Sequence, residues 1–207
     1  MDILEKIFGS AAKVKIIRLF LFNANTTFDV ASIALRTKVS LQVVRNEMRG
    51  LEEIALVKSK IFQKNTAKKP AKGKKASPKI KVKGWVLNDD FIYLAPLRSF
   101  LIGLTAFQPE DIIKKMNRVG KVKLLVVSGV FLQEKESRVD LLVVGDGLKK
   151  GVLESTVKSI EAELGRELVY SAFETADFQY RISMFDKLIR DILDFPHKKL
   201  VDKLGVS

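Results

Sequence analysis

The sequence predicts an α+β protein in two parts, and three observations carry that expectation. Residues 1–90 show helical spacing three times and then two segments of β-type alternation. Residues 119–207 run strand, strand, helix, strand, helix, which makes a small α/β domain with a mixed sheet. Charge divides the chain in the same way. Residues 1–90 hold 19 Lys and Arg against 8 Asp and Glu, whereas residues 91–207 hold 18 against 16. The attraction for a polyanion therefore lies in the N-terminal part.

Composition sets the outer limits. A chain of 207 residues that is 47% hydrophobic can build one large core or two small ones. It has no cysteine, so disulfides and thiolate metal sites are excluded. MDILEK starts acidic without a basic segment and a long apolar run, and the apolar stretches are too short to span a bilayer. A soluble cytoplasmic protein with no membrane association is expected.

The elements follow in order. SAAKVKIIRLFLFN (10–23) places Val14, Ile17 and Leu21, with Ile16 and Phe20, at helical steps over a wide face. TTFDVASIALRT gives a second helix, capped by Thr27 or Asp29, with Val30, Ile33 and Ala34 inward. After a break at Lys38–Val39, Ser40 can cap a third helix, SLQVVRNEMRGLEEI. There Val44, Met48, Leu51 and Ile54/Ala55 form the inner side. Gln42, Arg45, Asn46 and Arg49 fall at i, i+3, i+4 and i+7 and form one outer face. Such a face suits solvent, but Gln, Asn and Arg also carry the paired donors and acceptors that match base edges in the major groove. The preceding helix and short turn favour the second reading, because a helix–turn–helix offers the first half of its second helix to DNA.

ALVKSKIFQ (55–63) and KIKVKGWVLNDD (79–90) read as strands, with Ile80 and Val82 opposed to Lys79, Lys81 and Lys83. Between Lys64 and Lys83 there are nine lysines and no acid. Two strands with a basic tip after three helices make a winged helix. Lys38, Lys64, Lys68, Lys69, Lys72, Lys74, Lys75, Lys79 and Lys81 are the candidate contacts to a DNA backbone, with Ser40, Gln42, Arg45, Asn46 and Arg49 as candidate base readers. A solubilising loop is the other use of such a lysine run.

ILEKIFGSAAKVKIIRLFLFNANTTFDVASIALRTKVS and NEMRGLEEIALVK resemble the bacterial winged helix-turn-helix transcriptional regulators, particularly those fused to a nucleotidyltransferase-like domain. The resemblance covers about residues 2–88, and the lysine tip is longer than the usual short wing.

FIYLAPLRSFLIGLTA (91–106) and FQPEDIIKKMNRVG are helical by spacing, the second with Pro109 near its start and Gly120 as a C-cap signal. Leu94, Leu97, Leu101, Leu104 and Ile102 form an apolar stripe that packs either within the chain or against a second copy. KVKLLVVSGVF (121–131), RVDLLVVGD (138–146) and RELVYSAF (166–173) read as strands, GVLESTVKSIEAELG as a helix ended by Gly165, and the remainder as helices through PHKKLVDKL. The expected domains are 1–90, connecting helices 91–118, and 119–207.

VDLLVVGD followed by a helix and GRELVY looks like the small catalytic domain of the nucleotidyltransferase superfamily. That resemblance implies a Gly-Ser turn after the first strand, an Asp-x-Asp pair on the second and a third acid on the next, together holding two metal ions. In this sequence the turn is Ser128-Gly129, in reversed order. The first Asp falls on Arg138, the second on Asp140, and the third acid near Val169, where there is none; Glu167 lies two residues too early. One carboxylate of three implies a remnant site (Ser128, Gly129, Arg138, Asp140) with catalytic residues, metal and cofactor all absent. With Lys121 and Lys123 it could still hold an anionic effector. His197 is the one histidine and lacks partners at ligand spacing. No Walker A, dinucleotide or nucleophile-elbow motif occurs.

The expected function is a sequence-specific regulator of transcription that binds double-stranded DNA as a homodimer. Its C-terminal domain would be non-catalytic, joining subunits or meeting a protein partner or small effector. The alternatives are an active metal-dependent nucleotidyltransferase, and a scaffold for RNA or another acidic partner.

Overall fold

The computed structural model describes residues 3–65, 79–102, 108–134 and 136–206. Of the residues singled out above, Lys68, Lys69, Lys72, Lys74, Lys75 and Leu104 lie outside that range. Among the described residues the fold is mixed α+β with two separate sheets. It divides into two compact units, Met1–Phe100 with Ala162–Arg166, and Leu101–Glu161 with Glu167–Ser207.

The first unit opens with α1 (Ile3–Phe8), α2 (Ala11–Phe22), α3 (Val30–Thr37) and α4 (Leu41–Glu53). Each of the last three starts where a short polar side chain can satisfy a free N–H. Ser10 accepts from Lys13 N, Asp29 from Ser32 N, and Ser40 from Val43 N. Thr27 takes no part in the α3 cap. The inner face of α4 carries Val44, Met48 and Leu51, all buried. Ile54 and Ala55, expected to continue it, are exposed. The helix ends at Glu53, and Ala55 adopts a left-handed φ of 59°, which reverses the chain and sends Leu56 and Val57 inward instead.

β1 (Val57–Asn65) and β2 (Lys79–Leu87) pair antiparallel from Val57↔Leu87 to Asn65↔Lys79. Burial follows the expected alternation in the middle of this ribbon, where Val82 and Phe62 are half-buried between exposed neighbours, and breaks at its base, where Gly84 and Trp85 are both buried. Ile61 and Ile80, further out, are exposed. Phe28, between α2 and α3, adds a one-residue bridge to β2, its N–H and carbonyl exchanging bonds with Trp85 at 2.9 and 2.8 Å. Gly84 makes this approach possible. A Cβ there would stand 2.7 Å from the Phe28 carbonyl oxygen and 2.6 Å from the Phe62 ring.

α5 (Leu94–Ile102) follows. Its apolar stripe is partly closed within the chain, with Leu101 fully buried and Leu94 and Leu97 half-buried. Ile92, Tyr93 and Phe100 are exposed, and Phe100 meets Phe8 of α1 at a ring distance of 6.5 Å.

The second unit contains α6 (Pro109–Met116), β3 (Lys121–Val127), a 3-10 turn (Gly129–Phe131), β4 (Leu141–Asp146), α7 (Lys150–Leu164), β5 (Tyr170–Glu174), α8 (Thr175–Ser183), α9 (Lys187–Asp194) and β6 (Lys198–Asp202). Pro109 is at the start of α6 as expected, but the C-cap is Asn117, three residues before Gly120. The sheet order is β5-β4-β3-β6, parallel between β4 and β5 and antiparallel elsewhere. The mixed sheet was expected. Its fourth strand was not: KKLVD, placed among helices, pairs with β3.

β4 and β5 begin later than expected, leaving Arg138, Asp140 and Val169 in the connections before them. Leu124 to Val127 and Leu141 to Val144 are buried continuously, as strands covered on both faces must be. Leu124, Val126, Leu142 and Val144 form one core cluster with Phe178 of α8 and Ile189 and Ile192 of α9.

Candidate nucleic-acid interface

The turn from α3 to α4 is short because Lys38 takes a left-handed φ of 54° and closes the end of α3, its N–H donating to Ala34 O. Ser40 follows as the cap of α4, and both residues are exposed. Gln42, Arg45, Asn46 and Arg49 are all exposed along one side of α4, directly away from Val44, Met48 and Leu51. No hydrogen bond or ion pair among the described residues engages these four side chains. Leu41 and Val43 are exposed on either flank.

The acids of α4 are drawn elsewhere. Glu47 lies 3.6 Å from Lys13 Nζ of α2. Glu52 accepts the Trp85 indole N–H at 2.9 Å and sits 3.7 Å from Lys83 Nζ, which also lies 5.3 Å from the centre of the Trp85 ring. The indole bond comes first among the causes that hold the Glu52 carboxyl below the usual glutamate range, with Lys83 adding to it. Only Glu53 shares the outer line of the face, one turn beyond Arg49. The first three turns thus present cations and amides without an acid.

The ribbon places the expected backbone lysines on different faces. Cross-strand pairs Asn65↔Lys79, Gln63↔Lys81 and Ile61↔Lys83 put Lys79, Lys81 and Lys83 in one exposed row with Gln63 and Ile61. Lys64 belongs to the other face. Its ammonium meets both Asp29 oxygens at 2.9 and 2.8 Å and Ser32 Oγ at 3.0 Å, tying the ribbon to the capped start of α3. Burial pushes the Asp29 carboxyl up, but Lys64 and the Ser32 hydroxyl and N–H outweigh it, and the pKa falls below the ordinary value. Nothing local in the sequence marks this pair, 35 positions apart.

In the second unit the four residues expected to form a remnant site, Ser128, Gly129, Arg138 and Asp140, are held in structural contacts. Asp140 is buried, and each oxygen accepts one backbone N–H: Oδ1 from Val130 and Oδ2 from Val169, both at 2.8 Å. Its own backbone adds bonds to Ser128 N and Val169 O. Gly129 has φ 52°, and a Cβ there would fall 2.2 Å from Asp140 Oδ1. Ser128 Oγ donates to Pro196 O at 2.6 Å, so at 2.6 Å from Ser137 Oγ it must be the acceptor. Arg138 turns to α9 and pairs with Asp191 at 2.5 Å.

Lys121 and Lys123 do not join this cluster. They stand at the opposite end of β3, where Lys123 pairs with Asp146 at 2.8 Å and is the leading cause that holds that carboxyl below its usual range. His197 Nδ1 lies 2.9 Å from Phe195 O. Among the described residues no three His, Asp or Glu side chains gather as a metal site would require, and no helix is long and apolar enough to cross a membrane. Sequence reasoning missed Ser137, Asp191 and the Pro196 carbonyl, which acquire their roles only through tertiary contact.

The chain matches no protein-family model, no curated protein and no solved structure.

Proposed function

We propose that the first unit is a winged helix-turn-helix that binds duplex DNA, and that the chain is a sequence-specific regulator of transcription. The observation that carries this reading is the outer face of α4. Four side chains suited to base edges stand exposed on a helix fixed from behind by Val44, Met48 and Leu51. α3 and the three-residue turn Lys38–Ser40 form the rest of the helix–turn–helix. β1 and β2 form the wing, with the Phe28 bridge as its third strand, and Lys79 and Lys81 meet phosphates. Lys38 does the same from the turn. Lys64 fixes the angle of the wing.

The second unit, in this reading, is a nucleotidyltransferase-like module without catalysis. Asp140 uses both oxygens to hold backbone, and Arg138, which stands in sequence where the resemblance expects the first acid, is paired with Asp191 of α9. The chain acts as a homodimer through the exposed apolar residues Ile92, Tyr93 and Phe100 around α5.

Competition binding tests the reading. A labelled random-sequence duplex should bind the full chain with steep salt dependence, and a specific duplex recovered by selection should compete far better than single-stranded DNA or RNA of the same length. Stronger competition by single strands would refute it. So would metal-dependent transfer from labelled nucleoside triphosphates that Asp140→Ala abolishes, because the second unit would then be an enzyme.

A further inference from the structure

Resting on the DNA-binding reading, the spacing of the α4 face points further, to the base composition of the site. Gln42, Arg45, Asn46 and Arg49 lie on one line within an arc of about 100°, since each residue turns the helix by about 100°. Along the axis, Arg45 and Arg49 are separated by about 6 Å, as are Gln42 and Asn46. Successive base pairs rise about 3.4 Å, so each like pair spans about two base-pair steps. The whole line, Gln42 to Arg49, is about 10.5 Å long and covers about three steps.

Arginine makes its paired hydrogen bonds to guanine O6 and N7, and Gln or Asn to adenine N6 and N7. An acid on the line would favour cytosine. Glu47 and Glu52 are turned away to Lys13 and to Trp85 with Lys83, and Glu53 falls a turn beyond Arg49. Adenine's partner thymine adds a methyl group in the same groove, and Leu41 and Val43 are exposed beside the polar line to meet it.

We infer that α4 reads four consecutive base pairs containing two guanines two steps apart, set by Arg45 and Arg49, and two adenines two steps apart, set by Gln42 and Asn46. The order along the helix interleaves them, so the site is a mixed purine tetrad on either strand and not a uniform A·T or G·C tract.

Selection of random duplexes with the full chain at near-physiological salt, followed by sequencing, tests this. The expected result is an enriched core with that interleaved spacing. Arg45→Ala and Arg49→Ala should each relax one guanine position, with roughly tenfold or greater loss on the selected duplex. Arg45→Gln should exchange guanine for adenine at its position, a gain that misfolding cannot imitate. An enriched core without the paired guanines, or a core unchanged in all three variants, overturns the inference while leaving DNA binding in place. Salt-dependent binding with no enriched sequence also overturns it. Failure to retain any duplex, by protein whose circular dichroism is intact, overturns the underlying DNA-binding reading instead.

Discussion

Replacing Asp140 by alanine removes the acceptor for two N–H groups that join the 3-10 turn after β3 to the segment before β5. A hydrogen bond to a charged acceptor contributes about 1.5–3 kcal/mol. Val169 is 60% exposed, so water can take over its N–H, whereas Val130 is only half-exposed and loses more. The expected loss is about 2–4 kcal/mol, which is roughly a 30- to 1000-fold increase in hydrogen exchange for peptides covering β3 and β4. Asp140→Asn should fall between, because one amide oxygen can accept while the NH₂ opposes the other donor.

The Gly129 contact supplies an internal control. Gly129→Ala forces a Cβ against Asp140 Oδ1 in a left-handed backbone, and should be costly in the native chain. In the Asp140→Ala background the obstructing oxygen is gone, so the second substitution should cost less than it does alone. DNA binding should be unchanged in all these variants. An increase in exchange below tenfold for Asp140→Ala, or additive costs in the pair, would refute the view that this carboxylate is a backbone clamp.

Other expectations concern the first unit and assembly. Neutralising Lys79 and Lys81 together should weaken binding to every duplex alike and lower the salt slope by about 2, measured by titration at several salt concentrations. Because the folded Asp29 carboxyl titrates below its unfolded value, its contribution is complete above the unfolded value and disappears as pH falls through the folded one. Urea midpoints should therefore drop more steeply below about pH 4 for the native chain than for Asp29→Asn. Phe100→Asp should convert a sedimenting dimer to monomer, and a native chain already monomeric at tens of micromolar would count against the dimer.

Three of the four helices that open the first unit were legible because their signals are local; the short α1 (Ile3–Phe8) was not read from the sequence. Ser10, Asp29 and Ser40 cap the helices that follow them, and the two faces of α4 separate in the sequence as they do in space. What escaped depends on distant chain. The exposure of Ile54 follows from the left-handed turn at Ala55, and nothing in its residue type requires such a turn. β6 carries only Leu200 and Val201 among charged neighbours and becomes a strand by pairing with β3. Asp140 stood out as a lone acid in an apolar run. Its actual partners are backbone N–H groups, which every sequence possesses and none advertises.

Trp85 is the sole tryptophan of the chain, buried to 8% exposure between the end of α4 and the root of the ribbon. Its emission is therefore an optical label supplied by the protein itself, and it belongs to one unit alone. Far-ultraviolet circular dichroism responds to both units. If the two melt separately, the optical and dichroic curves will diverge, and their gap will measure how independent the halves are. Because the indole N–H rests on Glu52 and its ring lies beside Lys83, the same emission also senses strain where ribbon and helix meet. A duplex that engages both would shift it without any added dye.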